Sequence, residues 1–300
     1  MKSVLPAAAV IAAAGGLLAG CVVVDSQAHI TREEKRFEVT GAPDLKLTTF
    51  DGSIELHAGD GKTVLVEIEK RGPTQEGLDQ LRVETKQDGN RIEVEVKRPS
   101  REVAFFGIGS TPSAKLIVTM PAAGNVTAKS GDGSITIEDI HGHLDLRTGD
   151  GSIHGRNAGG QMTISTGDGS ITLDGATGDL DAESGDGSVR VSGAPANLKL
   201  HTGDGSITLR ADPGTKMAGD WSLTTGDGGV AVTLPSDFSA ELDAHTGDGS
   251  IRNELALTAE AGGDARPSDE SKHTLRTRLG SGGRTLTIRT SDGSIRLKSN

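Results

Sequence analysis

Aromatic side chains are scarce in this 300-residue chain, which has five phenylalanines, one tryptophan and no tyrosine. Their scarcity argues against the stacking platforms that bind sugars or single-stranded nucleic acid. Hydrophobic residues make up only 34%, whereas glycine reaches 43 residues, about twice its usual share, and both argue against a helical bundle. Bases are also outnumbered, because 31 Lys and Arg stand against 42 Asp and Glu. The resulting net charge of −11 is not that of a nucleic-acid-binding protein.

Cysteine is nearly absent, and the only one, Cys21, cannot form an internal disulfide. It follows Lys2, an uncharged stretch and the residues Leu18-Ala19-Gly20. A charged start, a short apolar core and small residues before a cysteine resemble a bacterial lipoprotein signal with its lipobox. That resemblance implies a signal peptide over residues 1–20, a lipidated Cys21 that holds the protein on a membrane, and a tether over 21–40. The alternative is an uncleaved anchor helix with an incidental cysteine.

The residues after Cys21 also bear on its destination. Val22 and Val23 follow it, with no Asp in the position after the cysteine. By resemblance to Gram-negative sorting rules, this favours the outer membrane. We therefore expect a lipid-anchored envelope protein on the periplasmic or surface face of that membrane.

An internal repeat predicts the fold of the remainder. The sequence Asp-Gly-Ser-Ile, or a close relative, recurs with its aspartate at 51, 132, 150, 168, 186, 204, 227, 248 and 292. Between 132 and 204 these aspartates are evenly spaced, with the same interval four times in succession. In each unit apolar residues alternate with polar ones on both sides of the glycine-rich corner, which indicates two short strands joined by a turn. We expect the corner glycines to supply positive φ angles, with Asp tolerated there.

Two columns of apolar positions repeat with the unit. The position before the corner is occupied by Val126, Leu144, Met162, Leu180, Leu198, Trp221, Leu242 and Leu286. The position after it is occupied by Ile135, Ile153, Ile171, Val189, Ile207, Val230, Ile251 and Ile295. Such columns are typical of like side chains stacked about 4.8 Å apart on a parallel ladder. The sequence therefore predicts an all-β fold, a right-handed parallel β-helix or β-solenoid with 18-residue coils.

The flanking segments predict how the solenoid is organised. Residues 41–122 contain longer, charge-rich strands expected to cap its N-terminal end, with a hairpin turn at Asp88-Gly89-Asn90. Regular coils are predicted over 123–256, a polar loop over 257–272 and a closing coil over 273–300. Together, residues 41–300 are expected to form one solenoid domain.

These features resemble a known family. The lipobox, the charged strands, Met120-Pro121, the serial T-G-D-G-S-I corners and the ending L-G-S-G-G-R-T-L-T-I-R-T-S-D-G-S-I-R-L are similar to the bacterial putative-adhesin family of β-strand-repeat proteins. Its domain is formally of unknown function. The resemblance covers about residues 40–300, implies a right-handed β-solenoid at the cell envelope and brings no functional residues with it.

The corner aspartates allow two interpretations. Asp132, Asp150, Asp168, Asp186 and Asp204 are expected to form one column. An oxygen-rich column could bind calcium, as in nonapeptide-repeat proteins. Those repeats, however, carry their motif in every half-coil, and here the second half does not. The interpretation we favour is a structural corner whose carboxylates accept backbone N–H bonds, with no metal site and no cofactor.

Other candidate chemistry is weaker. An enzyme site could involve Asp145, Arg147, Asp181 and Glu183, since Asp145 and Asp181 are expected two coils apart, about 10 Å. A metal could bind near His141, His143 and His154, although partners at ligand spacing are missing.

The charge is also uneven. Residues 123–250 hold 19 acids and 7 bases, whereas 272–300 hold 7 bases and one acid. The basic end could meet an anionic partner, or it could pack beside the acidic coils of its own chain.

The function that these observations favour is a non-enzymatic adhesion or interaction scaffold of the envelope. Its expected partners are the membrane, through lipidated Cys21, and an envelope glycan or protein, but not nucleic acid. The alternative is a carbohydrate-active β-helix enzyme, a polysaccharide lyase or hydrolase.

Overall fold

A computed structural model describes residues 29–97, 112–255 and 273–300 of the chain. These residues form 22 strands and one short helix, and they confirm the expected all-β, solenoid-like class. The elements are β1 His29–Glu38, β2 Asp44–Thr48, β3 Ile54–Gly59, β4 Thr63–Gly72, α1 Gln75–Asp79, β5 Arg82–Asp88, β6 Arg91–Lys97, β7 Ser113–Pro121, β8 Asn125–Lys129, β9 Ile135–Glu138, β10 His141–Thr148, β11 Ile153–Arg156, β12 Gly159–Thr166, β13 Ile171–Ser184, β14 Val189–Thr202, β15 Ile207–Ala211, β16 Trp221–Thr225, β17 Val230–Leu234, β18 Ala240–Thr246, β19 Ile251–Glu254, β20 Thr274–Leu279, β21 Thr285–Thr290 and β22 Ile295–Ser299.

The strands pair in two rows, which we call the first face and the second face. The first face holds the strands before each corner, in the spatial order β5, β6, β2, β8, β10, β12, β13, β14, β16, β21, β18 and β20. The second face holds the strands after each corner, in the order β1, β4, β7, β3, β9, β11, β13, β14, β15, β17, β22 and β19. The long strands β13 and β14 contribute to both faces. From β2 to β18 in the first face, and from β3 to β19 in the second, the pairings are parallel.

The two predicted apolar columns lie between the faces. Leu144 pairs with Val126 on one side and Met162 on the other, so register partners are one repeat apart in the sequence. Both columns are buried except for Ile251, which lies on the edge strand β19. The scarce aromatic side chains also serve the core, because Trp221 is fully buried and its ring centroid lies 5.4 Å from that of Phe238.

The N-terminal end is capped by the predicted charged strands. β4, β6 and β7 are long and carry buried apolar residues on one side, and Gly89 turns the β5–β6 hairpin with a φ of 59°. The coil formed by β2 and β3 lies inside this cap, against the first regular coil of β8 and β9.

The predicted tether differs from the structure where it is described. Residues 29–38 form strand β1, antiparallel to β4 along its whole length. β1 contains few apolar residues, but Arg32 pairs with Glu69 at 2.8 Å and Glu33 with Lys70 at 2.8 Å. The backbone pairing with β4, to which these exposed ion pairs add a little, therefore holds a segment that hydrophobic periodicity does not identify.

The closing coil occupies a different place from the one its position in the chain suggests. β21 pairs in parallel with β16 on one side and with β18 on the other, and β22 lies likewise between β17 and β19. The last coil is therefore inserted one coil in from the end of the stack. The end itself is formed by β18 and β19, with β20 antiparallel beside β18. The predicted loop 257–272 lies outside the described residues.

Candidate functional site

The corner aspartates form the predicted column on the surface. Asp132, Asp150, Asp168, Asp186 and Asp204 are all exposed, and each backbone N–H donates to a carbonyl of the preceding corner, as Asp168 does to Gly149 at 3.3 Å. Their carboxylates make no hydrogen bond or ion pair with the part of the chain that the structure describes. The prediction that backbone N–H groups of the turn donate hydrogen bonds to these carboxylates is therefore wrong. These side chains are exposed to water instead.

A buried hydroxyl just before each corner makes the bonds that we had expected of the aspartate. Thr202 is fully buried, donates through Oγ1 to the Gly187 carbonyl at 2.8 Å and accepts from the Gly205 N–H at 3.3 Å. The same position donates to the neighbouring coil throughout the stack, at Ser130, Thr148, Thr166, Ser184, Thr225, Thr246 and Thr290. The recurring Ser or Thr before Gly-Asp-Gly is the sequence signal for this bond.

The corner glycines are needed for close approach and not, as expected, for positive φ. The described positive φ values fall elsewhere, at the bend where the chain enters the next first-face strand (Gly160, 104°; Gly178, 84°) and in isolated turns. At Gly151 an added Cβ would clash with the carbonyl of Gly133 in the neighbouring corner.

The structure separates the candidate metal ligands. His141 and His143 lie on β10 of the first face, whereas His154 lies on β11 of the second face. Within residues 29–97, 112–255 and 273–300, no three His, Cys, Asp or Glu side chains are placed to hold a metal ion.

The candidate enzyme patch lies on the open first face. Asp145 and Asp181 flank Thr163 in one row, as predicted. Each carboxylate, however, is paired with a base: Asp145 Oδ1 with Arg147 Nε at 2.7 Å, and Asp181 Oδ2 with Lys199 Nζ at 3.2 Å. The arrangement is that of a solvated face with local ion pairs, and the open recess of about 300 Å³ that Asp181 lines does not include Asp145.

Asp243 accepts more side-chain bonds from basic residues than any other carboxylate in the described part of the chain, and it lies at the far end of the first face. Arg289 of β21 holds it through two bonds, at 3.2 and 2.7 Å, and Arg276 of β20 through a third at 3.3 Å. Hydrogen bonding to Arg289 lowers the pKa of Asp243, against the opposing effect of burial, and Arg276 lowers it further. A groove of about 900 Å³ opens beside this network, lined by Glu241, Arg278 and Thr285 among others.

This network shows what much of the basic C-terminal segment does. Arg276 and Arg289 pair with Asp243, Arg278 with Glu241 at 3.0 Å, and Lys298 with Glu254 at 4.0 Å. Four of the basic residues therefore pack beside acidic coils of the same chain. Arg296 has no such partner among the described residues.

Two further observations concern the membrane. Cys21, the predicted lipidation site, lies outside the described residues. In the part of the chain that is described, no helix has the length and apolar character needed to cross a bilayer.

Comparison with known proteins agrees with this architecture. A two-faced stack of parallel strands with glycine corners defines a β-solenoid-like protein. The family model described as Toastrack DUF4097 matches residues 42–298, and the chain belongs to this family. None of the curated proteins matches the chain.

Three crystal structures of proteins described as putative adhesins are similar over most of their length. The one from Parabacteroides distasonis is 12% identical, with 89% of this chain and 97% of that chain covered and a TM-score of 0.41. The one from Parabacteroides merdae is 11% identical, with 89% and 95% covered and a TM-score of 0.39. The one from Bacteroides fragilis is 10% identical, with 89% and 97% covered and a TM-score of 0.38.

Proposed function

We propose that this protein is a non-enzymatic interaction scaffold of the bacterial envelope, held at the outer membrane by lipidated Cys21. The observation that carries the proposal is the form of the described surface: two rows of strands that present polar and charged side chains on open faces. Where charges meet on these faces they pair locally, as Asp145 does with Arg147. Such rows suit contact with an extended partner better than enclosure of a small substrate.

The proposal includes the winding of the coils. Register partners one repeat apart over β8 to β14 support a parallel solenoid whose coil has the length of the sequence repeat. Its right-handed sense is expected from the general preference of parallel crossovers. A solenoid of this kind is a stiff rod, so an anchor at its N-terminal end would hold the far coils away from the membrane.

Cys21 supplies the test of the anchor. It is the sole cysteine of the chain and stands directly after Leu18-Ala19-Gly20. We expect Cys21→Ser to remain an uncleaved precursor without lipid, because serine has no thiol to accept the diacylglycerol. Metabolic labelling with a fatty-acid analogue measures this. Label that persists on the serine variant would refute the lipoprotein assignment.

A binding screen tests the scaffold role. The full chain in a non-ionic detergent is presented to envelope glycans and envelope proteins, and the same glycans are followed for cleavage by chromatography. We expect saturable binding with unchanged glycan length. Shortened glycan chains would instead support the polysaccharide lyase or hydrolase.

A further inference from the structure

The far half of the second face carries an excess of basic side chains. Arg190, Arg210, Arg252, Arg296 and Lys298 are all exposed on β14, β15, β19 and β22. The four arginines, which we call the arginine row, make no hydrogen bond or ion pair within the described part of the chain. The half of this face nearer the N-terminal cap differs, because its charges are paired. There Glu138 Oε2 lies 3.2 Å from His57 Nδ1 and 3.0 Å from Arg156 Nη2.

The register fixes the spacing of these side chains. Arg190, Thr208, Ala231, Arg296 and Arg252 are successive partners across five strands. At about 4.8 Å between strands, the row extends over roughly 19 Å. Arg210 lies two residues after Thr208 and therefore points to the same side.

Arg296 and Arg252 are direct neighbours in this row. Like charges that face each other on adjacent strands destabilise a sheet. The ion pairs that explain Arg276 and Arg289 are missing for these two among the described residues. Binding of an anion between the two arginines would relieve this repulsion.

A shallow groove of about 360 Å³ lies at the Arg252 and Arg296 end of the row. Between Thr208 and Arg296 it is floored by the small residues Gly229 and Ala231, and the serines at 206, 250 and 294 line its edge. Hydroxyl groups and guanidinium groups thus border a depression in which the backbone of a ligand could lie.

We propose that the arginine row binds a linear acidic polysaccharide, whose carboxylate or phosphate groups pair with the guanidinium groups. Arginine presents a planar fork of donors that matches either anion through two parallel hydrogen bonds. This inference rests on the proposed scaffold function and names the ligand class and the surface that binds it.

The position of the row favours a polysaccharide over the membrane. Ile30, the one large hydrophobic side chain exposed in the described residues, lies on β1 at the opposite end of the second face. β1 and β22 are ten strand positions apart, about 50 Å. A chain anchored at Cys21 would therefore hold the row away from the lipid headgroups and toward surrounding glycans.

The test uses the full chain in a non-ionic detergent and a polygalacturonate decamer as the probe. Its fully methyl-esterified form has the same sugar backbone without the charge and is the matched ligand control. We compare the wild type, the double variant Arg252→Gln/Arg296→Gln and the control variant Arg156→Gln, whose arginine lies on the same face but is paired with Glu138.

We expect the charged oligosaccharide alone to bind, and the double variant to weaken its Kd by about tenfold or more. The dependence of log Kd on log salt should become shallower by roughly one to two, because fewer ions are exchanged. Arg156→Gln should leave Kd unchanged. The double variant should keep or raise its melting temperature, since like-charge repulsion is relieved. A merely structural role for the two arginines predicts a lower one.

Parallel binding measurements distinguish an acidic polysaccharide from other ligands of the arginine row. Equal binding by the double variant overturns the proposal, as does equal affinity for the methyl ester. Saturation by inorganic phosphate, by phosphatidylglycerol vesicles or by single-stranded DNA at similar concentrations would assign the row to another anion. Dimers that the double variant abolishes would assign it to a second copy of the chain. If the broader screen finds a ligand that the double variant still binds, the scaffold function stands and only this surface is wrong.

Discussion

The buried hydroxyl of the residue before each corner links that corner to the next one by hydrogen bonds. Thr202 joins its own turn to the carbonyls of Gly185 and Gly187 in the neighbouring coil. We expect Thr202→Val, which keeps the shape and removes the hydroxyl, to lower the free energy of unfolding by about 1–3 kcal/mol, because buried backbone groups lose their partner. Thr202→Ser should cost less, since Ser184 makes the same bond one coil away. Chemical denaturation measures both, and equal losses would show that the methyl group matters as much as the hydroxyl, against this prediction.

The corner aspartates, unlike the buried hydroxyls, are expected to lower the stability of the stack. Asp150, Asp168 and Asp186 lie in adjacent coils without partners in the described part of the chain, so their charges repel through water. We expect Asp168→Asn to leave the melting temperature unchanged or to raise it, more so at low salt. Asp174→Asn is the control, because Asp174 accepts a bond from Ser192 at 3.0 Å and its replacement should bring no rise.

Calcium provides the second measurement on this column. If the carboxylates bound it, the ion would raise the melting temperature by mass action. We expect millimolar calcium to have little effect on the wild type. A rise of more than about 5 °C that Asp168→Asn abolishes would establish the calcium column.

Asp243 makes the stability of the far end depend on pH. Its pKa is lowered in the folded chain, chiefly by Arg289. The stabilisation is therefore complete above the ordinary aspartate pKa of about 3.9 and is lost as the pH falls through the lower folded value. We expect Asp243→Asn to cost about 1–2 kcal/mol at neutral pH and to flatten the acid side of the stability profile. Denaturation between about pH 2 and 6 measures this, and parallel profiles for the two proteins would contradict it.

At the scale of the element, the coil is the part of the fold that the sequence predicts best. Leu144, Met162 and Leu180 recur once in each repeat, and the structure stacks them as partners. Alternation also identified the cap strands. It missed β1, because Arg32 and Glu33 are fixed by charges on β4. The sequence also did not reveal why the corners require glycine. The requirement comes from a close contact between neighbouring coils, such as that of Gly151 with Gly133, and the sequence of a single repeat does not show such a contact.

The coil also predicts what a deletion does. Gly159 and Thr177 are register partners, so removing residues 159–176 places Thr177 where Gly159 was. We expect a folded β-rich protein with a melting temperature lower by about 10 °C or less, because each coil contacts only its neighbours. Removing residues 159–167 brings a corner to the place of a strand and should abolish the cooperative transition. Circular dichroism melts compare the two, and equal curves would mean that the sequence repeat is not the structural period.

At the scale of the whole molecule, the order of the coils could not be read from the apolar columns. Leu286 and Leu242 carry the same side chain at equivalent positions, so either fits beside Trp221. Charge distinguishes them, because Arg289 of the last coil lies against Asp243 of the end coil. The uneven distribution of acids and bases was visible in the sequence, but which strands it would join depends on the pairing in three dimensions.

Engineered disulfides distinguish the spatial order from the order along the chain. Ser222 and Thr287 are partners on adjacent parallel strands, whereas Thr224 and His245 are separated by Arg289. Adjacent strands bring Cα atoms to about 4.8 Å, within the range that a disulfide spans, and strands two positions apart do not. In a Cys21→Ser chain we expect Ser222→Cys/Thr287→Cys to crosslink under mild oxidation and Thr224→Cys/His245→Cys to stay reduced. Gel mobility without reductant, confirmed by peptide mass, measures both. The reverse result would return the last coil to the end of the stack, and Arg252 and Arg296 would exchange places within the arginine row.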